Sequence, residues 1–138
     1  MSAPVDVLSP EEHLEVLALY ARAATSVDAG DAEGFAGAFT EDGSFTIGAG
    51  EPMRGREALA KFVRDLQLSG RQLLHNVNNV TLELEDGKVA GRAYGLVIDV
   101  SGTEPRVATA GIYHDVLAKE SGCWRIASRH FRPGRGEE

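Results

Sequence analysis

Residues 71–100 read Arg-Gln-Leu-Leu-His-Asn-Val-Asn-Asn-Val-Thr-Leu-Glu-Leu-Glu-Asp-Gly-Lys-Val-Ala-Gly-Arg-Ala-Tyr-Gly-Leu-Val-Ile-Asp-Val. Two runs of apolar and β-branched residues flank Asp86-Gly87, a dipeptide that accepts φ > 0 at both central positions of a type I′ turn, which predicts a long β-hairpin. If Glu85 and Lys88 close that turn, counting outward pairs Leu84 with Val89, Leu82 with Gly91 and Val80 with Ala93 on one apolar face. On the other face Thr81 meets Arg92 near the turn. Asn79 then pairs with Tyr94, Val77 with Leu96 and His75 with Ile98. This register places His75, Asn79 and Tyr94 among Val77, Leu96 and Ile98, an apolar wall with a few polar groups of the kind that lines small-molecule pockets. A one-residue bulge at 76–79 would turn His75 to the opposite face.

The helical signals lie upstream. Ser9-Pro10-Glu11-Glu12 is a helix start with Ser9 as N-cap, Pro10 at the first helical position and Glu12 closing a capping box. Val16, Leu19, Tyr20, Ala23 and Val27 recur at helical spacing, with Leu17, Ala21 and Ala24 broadening the stripe, and the helix ends near Gly30. Asp31 caps a short second helix expected over Ala32 to Phe39, followed by a turn at Glu41-Asp42-Gly43 and a short strand, Ser44 to Ile47. A loop at 48–55 leads to a third helix, Arg56 to Leu68, burying Ala58, Leu59, Phe62, Val63 and Leu66 and stopped by Gly70. Beyond the hairpin, strands are expected over Arg106 to Ala118 and Cys123 to Phe131. Helices first and a run of antiparallel strands afterwards reads as α+β, one curved sheet wrapped over a helix layer. The expected organisation is a flexible N-terminal arm over 1–8, a single domain over 9–132 and a flexible tail over 133–138.

At 138 residues, 43% hydrophobic and 25% charged, the chain suits one globular domain. Its net charge of −7 and pI near 5.1 argue against a nucleic acid or an anionic membrane surface as partner. The single cysteine, Cys123, excludes an internal disulfide, and no apolar run approaches ~18 residues, so a cytoplasmic protein is expected. His13, His75, His114 and His130 show no ligand spacing and there is no Cys pair, so no metal is expected; nothing resembles a phosphate-binding loop or a nucleophile elbow.

Several local strings, in this order, resemble the SnoaL-like branch of the nuclear transport factor 2-like (NTF2-like) superfamily. They are Tyr20 followed by Ser26-Val27-Asp28-Ala29-Gly30-Asp31; Ala38-Phe39-Thr40-Glu41-Asp42-Gly43; Gly55-Arg56-Glu57-Ala58-Leu59; Leu74-His75-Asn76-Val77-Asn78-Asn79; Gly111-Ile112-Tyr113; and Gly122-Cys123-Trp124-Arg125-Ile126 with Arg129. The resemblance spans roughly Leu14 to Arg132. It implies a cone-shaped fold, three helices on a curved antiparallel sheet enclosing a deep apolar cavity. Dehydratases and related lyases of the superfamily resemble this chain at Asp28, at the end of the first helix, and His75, on the first long strand, where the pair acts as a dyad. The physical logic stands beside the analogy: a carboxylate accepting Nδ1–H fixes the imidazole tautomer and raises its basicity, and Nε2 can then move a proton. A helix-end role for Asp28 and a core role for His75 remain the alternatives.

Further candidates are Tyr20, as a phenol toward a substrate oxygen or a core aromatic; Asn79 and Tyr94, orienting a carbonyl or satisfying each other; and Leu96 and Ile98 as wall. His114 is an inward acid or an exposed strand histidine, and Arg129 an anion binder or a structural ion pair. Ketosteroid-isomerase-like chemistry is disfavoured, because Phe45-Thr46-Ile47-Gly48 lacks the carboxylate that resemblance would require. The function expected is that of a cofactor-independent lyase, isomerase or cyclase acting on a small apolar molecule. The alternative is a non-catalytic small-molecule-binding protein or accessory subunit. Val80, Leu82, Leu84 and Val89 on the supposed exposed face point to a homodimer through the sheet.

Overall fold

The computed structural model describes residues 8–85 and 88–135. Helix α1 spans Pro10–Ala29 and begins as its sequence dictates: Ser9 Oγ accepts from the Glu12 amide, and Glu12 Oε1 accepts from the Ser9 amide. It ends at Gly30, whose φ of 73° is the left-handed conformation that a glycine adopts without a Cβ penalty. Val16, Leu19, Tyr20, Ala23, Ala24 and Val27 are buried, but Leu17 and Ala21 face solvent, so the buried stripe is narrower than expected.

Helix α2 is short, Ala32–Gly37, and strand β1 already begins at Phe39, running to Ile47. The expected turn at Glu41-Asp42-Gly43 is absorbed into this strand as an irregularity between Phe39 and Ser44 in its pairing with the last strand. A two-residue strand β2, Met53–Arg54, precedes α3, Gly55–Leu68. Four long strands follow: β3 (Leu73–Glu85), β4 (Lys88–Asp99), β5 (Arg106–Glu120) and β6 (Cys123–Pro133). The turn at Asp86-Gly87 lies outside the described residues. Leu8, expected in the arm, is buried in the core, and β6 extends into the expected tail.

The fold is α+β, three helices packed on one six-stranded sheet, with one correction to the expectation. The sheet order is β2-β1-β6-β5-β4-β3, and β1 runs parallel to β6, so the sheet is mixed rather than antiparallel throughout. The helical crossover through α3 separates β1 from the meander, and β1 rejoins beside the final strand.

Register decides which residues reach the interior. From the turn to Thr81↔Arg92 the hairpin pairs as counted, and then it shifts: Asn78 faces Tyr94, Asn76 faces Leu96 and His75 faces Val97. Asn79 carries a φ of 57° at this bulge, a left-handed conformation that asparagine tolerates better than most side chains. His75 and Val77 therefore point to the helix-covered side, and Tyr94 and Leu96 to the outer side. Ile98, now opposite Leu74, also leaves the His75 face. Val80 and Leu82 pack against the core and Val89 belongs to it, so the face expected to be exposed is the one the helices cover.

Candidate functional site

Asp28 sits in the last turn of α1 and His75 near the start of β3. The two are joined three times: Asp28 Oδ1 lies 2.7 Å from His75 Nδ1, and the His75 backbone N–H donates to Oδ2 at 3.0 Å and Oδ1 at 3.2 Å. One carboxylate thus fixes both the strand and the ring it carries. Oδ1 accepting from Nδ1–H leaves Nε2 with its lone pair, the tautomer of an imidazole base. The side chains are 15% (His75) and 17% (Asp28) exposed, enough cover to strengthen the hydrogen bond while leaving an approach to the ring. Gly30 leaves room at this end of α1 for the Gln67 side chain of α3, which lies where a Cβ would be.

His75 stands between two spaces. On one side is a cleft of about 280 Å³ bordered by Asp28, Gln67, Arg71, Gln72, Leu74 and Val100. On the other is an inner cavity of about 110 Å³, lined by Ala24, Val27, Phe35, Phe45, Phe62, Val77, Val97, Thr109, Tyr113, Arg129 and Phe131. Its floor is cut by glycine: a Cβ on Gly95 would lie 2.6 Å from Tyr113 Cε2 and 3.0 Å from Phe131 Cε1, so both rings rest on bare backbone. Those rings pack with centroids 4.9 Å apart.

Arg129 is the charged group of this cavity wall. Its Nε and Nη2 donate to Asp115 Oδ1 and Oδ2, each at 3.0 Å, in a fork with side chains 3% and 0% exposed. The guanidinium carbon stands 4.2 Å from the centre of the Tyr113 ring and 5.4 Å from that of Tyr20. Burial works against the arginine charge, but Asp115 outweighs it and holds the group protonated beyond its ordinary range. Burial likewise raises the phenols of Tyr20 and Tyr113, so both stay neutral donors. For Tyr113 the Arg129 charge opposes that rise, while Asp115 and Asp28 add to it, which places its hydroxyl in the field of both carboxylates.

The remaining expected site residues go elsewhere. Tyr20 is buried beneath Gly91, its hydroxyl seated where a Cβ would be and in the field of the Asp115–Arg129 pair. Asn79 is exposed at the bulge. Tyr94, 55% exposed, lies with Leu96 in an outer-face groove away from the cavity, and Ile98 is half-buried off the cavity wall. His114 is on that outer face too, paired with His130 and Arg92 across the strands. Its Nε2 is buried without a partner, and burial followed by the Arg92 and Arg132 charges disfavours protonation. Sequence reasoning missed Tyr113 and Asp115 as site residues. The signal was the alternation Gly111, Tyr113, Asp115, Leu117 along β5, which puts all four on the buried side. Among the described residues no cluster of His, Cys, Asp and Glu is arranged to hold a metal, and no helix is long and apolar enough to cross a membrane.

A family model described as a SnoaL-like domain matches residues 9–130. Among solved structures, an Asp-to-Asn variant of Rv3472, a protein of unknown function from Mycobacterium tuberculosis, is 34% identical with a TM-score of 0.81, covering 90% of this chain and 72% of that one. ActVI-ORFA from Streptomyces coelicolor is 26% identical, TM-score 0.79, covering 88% and 96%. A protein from Catenulispora acidiphila in complex with S-DNPA is 26% identical, TM-score 0.81, covering 91% and 95%. No curated protein matches the sequence.

Proposed function

The chain belongs to the SnoaL-like domain family of the NTF2-like superfamily, and from that membership and its site we propose a cofactor-independent lyase, isomerase or cyclase acting on a small, largely apolar molecule. The observation that carries the reading is the 2.7 Å contact between Asp28 Oδ1 and His75 Nδ1 beside an apolar cavity. In the proposed chemistry Nε2 of His75 takes a proton from an acidified carbon of the substrate, and Asp28 stabilises the imidazolium so formed. The C–H electron pair becomes a C=C bond as the π pair of an adjacent carbonyl moves onto its oxygen, giving an enolate. Return of the proton to a second carbon gives isomerisation; attack of the enolate carbon on another carbonyl of the same molecule, whose oxygen takes the proton, gives cyclisation; expulsion of a β-hydroxyl, which takes the proton and leaves as water, gives the dehydrated product.

The experiment is a pair of substitutions, His75→Ala and Asp28→Asn, assayed on a compound that the wild type turns over. Each should lower kcat by roughly 10²–10⁴-fold, the usual worth of a positioned base. Long-range proton–nitrogen NMR of His75 supplies a readout without substrate. The wild type should show a single tautomer protonated at Nδ1, and Asp28→Asn a mixture. Full turnover in either variant, or the same tautomer in both proteins, would refute the proposal.

The second reading is a binding protein or accessory subunit without chemistry, favoured by the existence of a ligand complex of the Catenulispora relative. It predicts ligands that bind wild type and His75→Ala alike and are never converted.

A further inference from the structure

We propose that Arg129 is a ligand-recognition residue at the inner wall of the cavity, and that the ligand is an apolar body of one ring's size carrying an acceptor oxygen, a carbonyl or an oxyanion, directed at the guanidinium. This rests on the cavity being the ligand site and is independent of the chemistry proposed for His75.

The cavity volume of about 110 Å³ sets the size. An engineered 150 Å³ protein cavity accepts benzene, so this smaller space takes one small ring at most, with any further substituents passing His75 into the outer cleft. The donor set fixes the chemistry. A guanidinium has five N–H donors and no acceptor, so it selects oxygen lone pairs and disfavours groups that can only donate. Asp115 occupies Nε and Nη2, and Nη1 takes no part in that fork. The bidentate contact with Asp115 and the position of the guanidinium carbon over the Tyr113 and Tyr20 rings hold the group in a fixed pose, so little side-chain entropy is left to lose on binding. As stabilising devices, buried ion pairs compare poorly with apolar residues of the same volume. A pair retained in the wall of a cavity, rather than in the solid core, is accounted for by recognition.

The test uses two probes of one shape, cyclohexanone and methylenecyclohexane, in which C=CH₂ replaces C=O. Titrated into the wild type and followed by NMR, the ketone should bind roughly tenfold tighter or more, the range for a hydrogen bond to a charged group. It should also shift the Arg129 guanidinium resonances. Methylenecyclohexane should move Val97 and Phe131 signals without moving those of Arg129. Arg129→Met alone strands a buried carboxylate and risks unfolding, so the pair is removed together, as Asp115→Leu with Arg129→Met, and the ketone preference should vanish. Equal affinities in the wild type, Arg129 signals unmoved while the cavity is occupied, or no binding of either probe at millimolar concentration overturns the proposal. The titration reads binding alone. Loss of the proton-transfer reading, seen as full turnover in His75→Ala, leaves this result standing, and failure here leaves that reading standing.

Discussion

Glu12 does three separate jobs with two oxygens. Oε1 closes the capping box on the Ser9 amide, while Oε2 accepts from the Trp124 indole N–H at 2.9 Å and lies 3.0 Å from Lys119 Nζ. The Ser9 amide first, then Trp124 and Lys119, hold its carboxyl well below the usual range, at about 2. A folded-state pKa below the unfolded one means stability that is present above the ordinary carboxylate range and lost as pH falls toward 2. Glu12→Gln should therefore melt below the wild type at pH 7, and the gap should close on acidification to about pH 2. A gap independent of pH would show that the amide loses packing rather than charge. At this same scale the sequence was most informative: Ser9, Pro10, Glu12, Gly30 and Gly70 each end or begin a helix through backbone chemistry that needs no distant partner. Asp28 and His75 were legible as a pair only by resemblance, because their hydrogen bonds join residues far apart in the chain.

The three helices and the four long strands were read correctly in kind, while β2 and the start of β1 fell where a loop and a turn were expected; the β3–β4 register was misread past a bulge, and a second bulge sets the β5–β6 register. Counting from the β3–β4 turn put His75 opposite Ile98; two residues, Asn79 and Val80, stand against the single Ala93 and move it opposite Val97. Counting from the turn at Ser121-Gly122 would pair Asp115 with Ser128, but the shift between Val116 and Leu117 pairs it with Arg129. Each bulge inverts the faces beyond it, and period-two alternation carries no mark of where the inversion falls. Site residues on both long hairpins lie beyond such a point, so the strands were legible and the cavity wall was not. The first bulge is testable. At φ 57°, Asn79→Val should cost about 1–2 kcal/mol by urea unfolding, the left-handed penalty of a side chain, while Asn79→Gly should hold or raise stability. Deleting Asn79 should restore the flush register, swing His75 outward and abolish its Nδ1 hydrogen bond. A deletion that keeps that tautomer signal would show that Asp28 alone fixes the ring.

For the whole molecule, the apolar strip that suggested self-association turns out to be core. The expectation keeps its form but moves to the other face, where Leu74 is 49%, Tyr94 55% and Val107 63% exposed beside a groove of about 470 Å³. We propose a homodimer through this outer face. Light scattering at micromolar concentration should report twice the chain mass of 14.7 kDa, and Tyr94→Arg should shift it toward one. A monomer at all accessible concentrations would remove the proposal.

The position of β6 in the sheet has a consequence in time. Among the described strands, β6 alone bridges β1, made early in the chain, and the β3–β4–β5 meander. Its first contacts include Ile126 N–H to the Ala38 carbonyl, across nearly ninety residues. On a ribosome, the helices and the β3–β4–β5 meander can form as they emerge, but the layer that unites them must wait for the last strand. Non-local closure of this kind is the slow part of folding. The nascent protein would spend that interval with Phe39 and Phe45 lacking their strand partners Ile126 and Arg129 and a sheet edge open, the state in which chaperones would meet it.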